Sequence, residues 1–215
     1  RRNLPIPKYT ALLSEIKKRK MHSGVELIIP MPGESKKTFL NGMETIVDAG
    51  AGTVIPYTTM LLPGTEIASK EFREKYKMKS KFRILPRQFG DLRGSKCFEI
   101  EEVCVATNTM SYEDYLYCRG LSFVAGLFAS DQYDLILQHL KELEITPFDY
   151  YLHLWELIKL DKTGIGLVYK SYIQETEDEL WDSPEEIYEH FSKPKNYEAL
   201  LKSILGDNLM RKYKT

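Results

Sequence analysis

The sequence predicts an α/β fold in its first half and a mainly α-helical second half. Before residue 60, apolar runs with the length and the branched residues of buried strands alternate with amphipathic helical segments. After about residue 110, apolar residues recur every three or four positions, which is the period of an α-helix. The chain has 215 residues, of which 43% are hydrophobic and 28% charged, so it is long enough to bury a core.

The first half follows the order helix, strand, helix, strand. Residues 7–21 carry apolar side chains at helical spacing, and Gly24 follows as a stop signal. Residues 25–31 form an apolar run typical of a strand that is buried on both faces. Ser35 opens an amphipathic helix, and a second apolar strand is predicted at about 53–60. This alternation with short connections favours a parallel sheet covered by helices.

The pattern changes after the second strand. Residues 70–96 are basic and irregular, and we predict a short helix followed by a loop. Residues 97–109 partly alternate apolar and acidic side chains, which indicates an antiparallel or edge strand. Ser111 and Asp114 resemble a capping box, which marks the start of a helix.

Six helices are predicted from there to the end of the chain. Their approximate ranges are 112–128, 131–143, 148–160, 164–179, 184–192 and 196–213. We therefore divide the chain into an α/β region, residues 1–110, and a helical domain, residues 111–215.

Two apolar runs end in the same dipeptide. Pro32-Gly33 and Pro63-Gly64 stand 31 positions apart, which is about the length of one βα unit. In folds with parallel strands, the loops at the carboxyl ends of the strands line the active site. Glu34-Ser35 and Thr65-Glu66 would place polar or helix-capping side chains at that edge. The alternative interpretation is that both dipeptides simply make efficient turns.

Charge is divided unevenly along the chain. The net charge is −1, but residues 1–96 hold 19 Lys and Arg against nine Asp and Glu, and residues 97–215 hold 11 against 22. The two regions could attract each other or carry ordinary solvated faces. The sharper interpretation is that the first region offers a surface to an anion or a nucleic acid.

Cysteine usage indicates a cytoplasmic protein. Cys97, Cys104 and Cys118 are odd in number and lack the CxxC spacing of zinc or redox sites, so we predict reduced thiols. No apolar stretch approaches the roughly 20 residues that span a bilayer, and no membrane partner is expected.

The Pro-Gly segments resemble a known family. "ELIIPMPGES" resembles the fifth strand and following loop of radical S-adenosylmethionine (SAM) enzymes, where a pattern close to D-x-I-x-G-x-P-G-E-T recurs. "IPYTTMLLPGTE" resembles their sixth strand, which often ends in Pro-Gly-Thr. "KFRILPRQFG" and "FEIEEVCVATNTMSYEDYLYCRG" are similar to the branch that carries a cobalamin-binding domain. The resemblance covers about residues 1–125.

The resemblance implies a fold, cofactors and an activity. The family folds as a partial parallel (β/α) barrel, of which this chain would supply the last βα units. An iron–sulfur cluster of the 4Fe-4S type, held by a CxxxCxxC loop, cleaves SAM to a 5′-deoxyadenosyl radical. In the cobalamin-linked branch, the implied reaction is methyl transfer or rearrangement at an unactivated carbon of a small-molecule substrate.

This sequence lacks parts of the family's pattern. It has no CxxxCxxC loop and no initiator Met, and the first strands of the barrel are missing. We therefore expect a carboxyl-terminal fragment that carries no metal ligands, depends on the N-terminal part of the same protein, and is inactive alone.

The resemblance also implies binding residues. The positions that match the family's cofactor-binding motifs are Glu26, Ile28, Pro30, Gly33, Glu34 and Tyr57. Ile28 would pack against the SAM adenine, and the backbone around Tyr57 would hold the same nucleoside. Pro30 stands where the family has Gly, and its ring and missing N–H would alter the approach of the cofactor.

Two arginines are candidate substrate-binding residues. The guanidinium groups of Arg83 and Arg87 suit an anionic group of the substrate or of a cofactor. Their alternative role is to form salt bridges with Glu99, Glu101 and Glu102, which are nearby in sequence.

Two other functions are consistent with the sequence. Residues 1–96 would suit a nucleic-acid-binding module, because aromatic side chains lie among their cations, although no recognised nucleic-acid motif is present. Residues 126–215 would suit a non-catalytic helical adaptor whose acidic surface docks a partner or the basic half of its own chain.

Overall fold

The computed structural model describes residues 5–128 and 133–202, and within them the chain has a mixed α/β fold. The helices are α1 (Ile6–Lys18), α2 (Lys36–Asp48), α3 (Lys70–Tyr76), α4 (Tyr112–Phe128), α5 (Asp134–Glu142), α6 (Pro147–Leu160), α7 (Gly164–Asp178), α8 (Pro184–Phe191) and α9 (Pro194–Lys202). The strands are β1 (Gly24–Ile29), β2 (Thr53–Thr58), β3 (Lys79–Leu92) and β4 (Ser95–Ala106), and a 3₁₀ turn covers Glu66–Ala68.

Strands β1 and β2 lie side by side and run in the same direction, which confirms the predicted parallel pairing. Their register places Ile28 beside Tyr57. Helix α2 connects the two strands and begins after Ser35, as predicted. The Ser35 hydroxyl accepts a hydrogen bond from the Thr38 amide, and the Ser35 amide donates to the Thr38 hydroxyl. This reciprocal cap explains why the helix starts there.

The two faces of this small sheet differ in burial. Val25, Ile29 and Val54 belong to the main hydrophobic core, together with side chains of α2, α4, α6 and α7. On the opposite face, Ile28 is 49% exposed and Tyr57 is 42% exposed. The prediction of a strand buried on both faces is therefore wrong for the described residues. One face of the sheet remains open to a ligand or to further protein.

The segment that we predicted to be a loop is largely a strand. Within residues 70–96 the structure has α3 and the whole of β3, which pairs antiparallel with β4. The strand predicted at 97–109 is confirmed. The register shifts between Ile84 and Phe89, so the extra residues of β3 interrupt the alternation of side chains. That interruption hides the two-residue period of a strand from inspection of the sequence.

The helical C-terminal region is confirmed where the structure describes it. Helix α4 begins after Ser111, whose hydroxyl accepts a hydrogen bond from the Asp114 amide at 3.1 Å. The predicted helical positions 131–132 and 203–213 lie outside the described residues. Side chains from both sides of the predicted 110/111 boundary share the main core. None of the described helices has the length and apolar character needed to cross a membrane.

A smaller hydrophobic cluster joins the β3–β4 hairpin to the last described helices. Phe98 of β4 packs with Ile187 of α8 and Tyr197 of α9. Phe82 and Trp181 exchange two backbone hydrogen bonds, with N···O distances of 2.9 and 2.8 Å. The chain that leaves α7 is therefore fixed against the edge of the hairpin.

Candidate functional site

A cavity of about 720 Å³ lies between the exposed face of the parallel sheet and the β3–β4 hairpin. This volume is in the range of small-molecule sites. One wall is apolar and includes Ile28, Tyr57, Met60 and Leu62, which are each between 42% and 51% exposed. The charged lining residues are Glu26, Arg83, Glu101, Arg119 and Glu179. The cavity thus combines an apolar surface with a small number of charged groups.

The residue Thr59 joins the strands at the carboxyl end of the sheet. Its amide donates to the Ile29 carbonyl at 2.9 Å, and its hydroxyl donates to the Pro30 carbonyl at 2.7 Å. Its own carbonyl accepts from the Cys104 amide of β4 at 2.8 Å. These bonds hold β1, β2 and the hairpin together beside the cavity.

Both Pro-Gly dipeptides form turns of the same geometry. Gly33 and Gly64 each have φ of +82°, a left-handed conformation that glycine adopts without strain. The amide after each glycine donates to the carbonyl three residues earlier, at 3.0 and 3.2 Å. These features are those of a type II turn. The residues that precede the two dipeptides, Met31 and Leu62, line the cavity, whereas the dipeptides do not.

Arg83 lies at the centre of a buried ion cluster. Its Nε is 2.5 Å from Glu101 Oε1, and its Nη1 is 2.8 Å from Glu179 Oε1. The three side chains are only 20%, 7% and 12% exposed. Burial lowers the pKa of the Arg83 guanidinium, but the two carboxylates raise it further, so the net pKa shift is upward. Arg83 therefore forms a salt bridge with Glu101, as the alternative role predicted, and a second one with Glu179. The binding of a ligand anion by Arg83 stays a prediction.

Arg119 reaches the cavity from α4 and is 4% exposed. Its Nη1 donates to the Pro56 carbonyl of β2 at 2.9 Å, and the ring of Tyr172 lies 5.9 Å from its Cζ. Its Nε has no hydrogen-bond partner among the described residues. Arg119 is thus a buried cation that is held by a neutral backbone oxygen and an aromatic ring.

Half of the sequence-predicted positions line the cavity. The lining includes Glu26, Ile28, Tyr57 and Arg83. It does not include Pro30, Gly33, Glu34 and Arg87. Arg87 lies in the register-shifted part of β3, where its φ is +58°. Burial raises the pKa of the Glu34 carboxyl. A hydrogen bond with the Met31 backbone acts in the opposite direction but is the weaker effect, so the net pKa shift is upward.

Several residues of the cavity were not singled out from the sequence, and three of them are central to its structure: Thr59, Arg119 and Glu179. Thr59 lies within the segment that resembles the sixth strand but had no predicted role, and Glu179 belongs to no local motif. Arg119 did carry a signal, because it is a single cation within the apolar stretch "YLYCRGLSFVAG" of α4. A charge at such a position is buried only where a partner or a ligand compensates it.

The cysteines do not assemble a metal site in the part of the chain that the structure describes. No group of three or more His, Cys, Asp or Glu there could hold a metal ion. Cys104 and Cys118 are buried, whereas Cys97 is partly exposed. Burial raises the pKa of the Cys104 thiol to about 11 and that of the Cys118 thiol to about 12. Both thiols are therefore neutral near pH 7 and are poor nucleophiles.

We expect iodoacetamide at pH 8 to alkylate only Cys97 of the folded protein, because the buried thiols stay protonated and shielded. Intact-mass measurement should give one adduct under native conditions and three in urea. The Cys97→Ser variant serves as the control and should give no adduct until it is unfolded. Two or more adducts on the native protein would contradict the burial of Cys104 and Cys118.

Together these features define a candidate ligand-binding site at the carboxyl end of two parallel strands. Its apolar wall comes from the sheet and the loops that follow it, and its charged wall comes mainly from the hairpin, α4 and the end of α7. No protein-family model matches the sequence, and no curated protein matches it in a sequence search.

Proposed function

We propose that this chain is the carboxyl-terminal part of a cytoplasmic radical SAM enzyme, and that its cavity holds the nucleoside and the substrate. The two parallel strands would be the last strands of a partial (β/α) barrel. The reaction would be methyl transfer or rearrangement at an unactivated carbon, with cobalamin as a second cofactor. The observation that carries the proposal is the parallel register that sets Ile28 beside Tyr57 on an exposed sheet face.

The apolar wall fits the adenosine part of SAM. In α/β folds, ligands bind beyond the carboxyl ends of parallel strands, and the lining of this cavity includes residues that follow both strands, Met31 after β1 and Thr59 after β2. The half-exposed ring of Tyr57 offers a face on which a base can stack, and Ile28 extends that surface. Pro30 has no amide hydrogen, so the nucleoside contact would depend on these side chains more than on the backbone there.

The described residues do not fit the iron–sulfur cluster. They include no group of cysteines that could hold it, as described above. When bound, the cluster and SAM would supply the radical chemistry, and the cluster ligands would come from the N-terminal part of the same protein. The role left to this chain is to bind and orient the nucleoside and the substrate, and to exclude water.

The edge of β1 supports a larger parent protein. Among the described residues only β2 pairs with β1, so the other edge of β1 has no strand partner there. An open strand edge beside an exposed apolar face is suited to the addition of further strands. We propose that the missing barrel strands pair there.

SAM cleavage is the test of this proposal. We expect the complete gene product, prepared anaerobically and reconstituted with iron and sulfide, to release 5′-deoxyadenosine from SAM. The 215-residue chain alone should release none. Absence of both the cluster absorbance and 5′-deoxyadenosine from the complete protein would refute the proposal. Salt-dependent nucleic-acid binding in its place would favour the alternative based on residues 1–96.

Tyr57→Ala tests the nucleoside contact itself. The dissociation constant of SAM should rise about tenfold, because base–aromatic stacking contributes about 1–3 kcal/mol. Tyr188→Ala is the matched control, since Tyr188 is 41% exposed and lies outside the cavity lining. If the two variants bind SAM with equal dissociation constants, Tyr57 does not contact the nucleoside.

A further inference from the structure

Arg119 has donors that the protein does not use. Within the described residues its guanidinium donates one hydrogen bond, from Nη1 to the Pro56 carbonyl. Nε and Nη2 lie along another edge of the guanidinium plane, and Nε is buried without a partner in the described part of the chain. A buried donor without an acceptor costs free energy, and the cost is larger when the group is charged. This cost favours an acceptor other than the described residues, and a ligand in the cavity could supply one.

Arg83 does not compete for that acceptor. Its guanidinium already contacts one oxygen of Glu101 and one of Glu179. Arg119, in contrast, forms no ion pair with a carboxylate of the described residues, although it is the more buried of the two arginines. Arg119 is therefore the arginine of this cavity whose donors are not taken up by carboxylates of the described residues, and the sequence-based prediction did not include it.

The buried charges of the cavity decide which anion fits. The buried side chains of Arg83 and Arg119 together balance those of Glu101 and Glu179, and the fifth charged residue of the lining, Glu26, is exposed and adds one further negative charge. A carboxylate adds a single negative charge, and its two oxygens match the Nε and Nη2 donors in a bidentate contact. A phosphate dianion would bring two negative charges close to two buried carboxylates, where the effective dielectric constant is low.

We propose that the cavity binds an apolar monocarboxylate, whose carboxylate group contacts Arg119 and whose apolar part lies against Ile28, Tyr57 and Met60. These three side chains are exposed to the cavity and can cover a hydrocarbon or aromatic group. The proposal names a ligand class and does not depend on SAM, on the iron–sulfur cluster or on radical chemistry.

The test compares 2-naphthoate with 2-naphthamide, which has almost the same shape and no charge. Dissociation constants are measured by saturation-transfer NMR titration of the 215-residue chain, without SAM or iron. Naphthoate should bind at least about tenfold more tightly than the amide, because a charge-assisted hydrogen bond contributes about 1.5–3 kcal/mol. Arg119→Lys should reduce this preference to less than about threefold, since Lys lacks the planar pair of donors.

Two further variants locate the site. Tyr57→Ala should weaken the acid and the amide by the same factor, because it removes only apolar contact. Arg93→Lys, in the exposed turn of the hairpin, is the matched control and should bind both as the unchanged protein does. Inorganic phosphate should not displace naphthoate.

Several results would overturn the proposal. These are acid and amide affinities within twofold of each other, no binding of either compound at millimolar concentration, displacement by phosphate, or a full acid preference in Arg119→Lys. If Arg119→Lys does not fold, the comparison of acid with amide in the unchanged protein and in Tyr57→Ala still decides. Because the assay contains no SAM, a negative result leaves the SAM-cleavage test unaffected.

Discussion

Arg83→Met is expected to lower the free energy of unfolding by about 3–5 kcal/mol, which is the usual cost of removing one partner from a buried ion pair. In the unchanged protein the Arg83 guanidinium separates two carboxylates, on Glu101 and Glu179, that are 7% and 12% exposed. Methionine fills a similar volume but leaves both carboxylates without a counter-charge. The measurement is equilibrium denaturation in urea, followed by circular dichroism.

Lys81→Met is the matched control for this experiment. Lys81 lies two residues earlier on the same strand and pairs with Asp182 at 2.5 Å, but the Asp182 side chain is 74% exposed. An ion pair in solvent contributes about 0–1 kcal/mol, so the control should remain close to the unchanged protein.

A rescue variant separates lost charge balance from lost packing. Arg83→Met combined with Glu101→Gln should recover part of the lost stability, because the remaining Glu179 carboxylate and the buried Arg119 cation then balance each other. A loss below about 1 kcal/mol in Arg83→Met alone would show that the ion cluster is not buried as described.

Gly166→Ala is expected to destabilise the protein by about 3 kcal/mol, at the upper end of the usual cost of overpacking. A Cβ atom added at Gly166 would lie 2.2 Å from the backbone oxygen of Asp161, and the backbone cannot rotate away as a flexible side chain can. The Asp161 carboxylate also accepts from the amides of Thr163 and Gly166, both at 2.9 Å. Relief of the clash would break these contacts at the start of α7.

Gly42→Ala should have the opposite effect. Gly42 is an exposed residue inside α2, and an added Cβ would meet no atom within 4 Å. Alanine in a helix interior is favoured over glycine by about 0.5–1 kcal/mol, so this variant should be slightly more stable. The midpoint temperatures of thermal unfolding of Gly166→Ala and Gly42→Ala test these two predictions. A Gly166→Ala protein as stable as Gly42→Ala would contradict the close approach at Asp161.

The parallel sheet and most helices could be predicted because their signals are local. Ser35 caps α2 through Thr38, only three residues away, and Ser111 caps α4 in the same manner. The parallel pairing of β1 with β2 followed from two apolar runs separated by one helix. The exposure of Ile28 and Tyr57 did not follow, because an apolar run does not show whether both faces of its strand are covered.

Strand β3 could not be predicted because its two halves are out of phase. Pro86 and Gly90 are residues that weaken a strand prediction, and the register shift after Ile84 breaks the alternation of buried and exposed positions. The strand is specified by its pairing with β4 rather than by its own sequence. Such pairing becomes visible only in three dimensions.

The lining of the cavity coincides in part with positions named at the level of the sequence. The resemblance implied binding roles for Glu26, Ile28 and Tyr57, and all three line the cavity, although their roles in binding stay predictions. Glu179 lies 96 residues after Arg83, with which it pairs. No local pattern links two positions that far apart, so the charged wall could not be derived from the sequence alone.

The hydrogen bonds between Phe82 and Trp181 have a consequence for synthesis of the protein on the ribosome. A nascent chain that has emerged only as far as α6 contains both strands of the hairpin and the parallel sheet, but it lacks Glu179 and the segment that fixes it. Arg83 would then face Glu101 alone. The complete cavity therefore forms only after Trp181 has emerged, and a small molecule cannot assist the earlier stages of folding by occupying it.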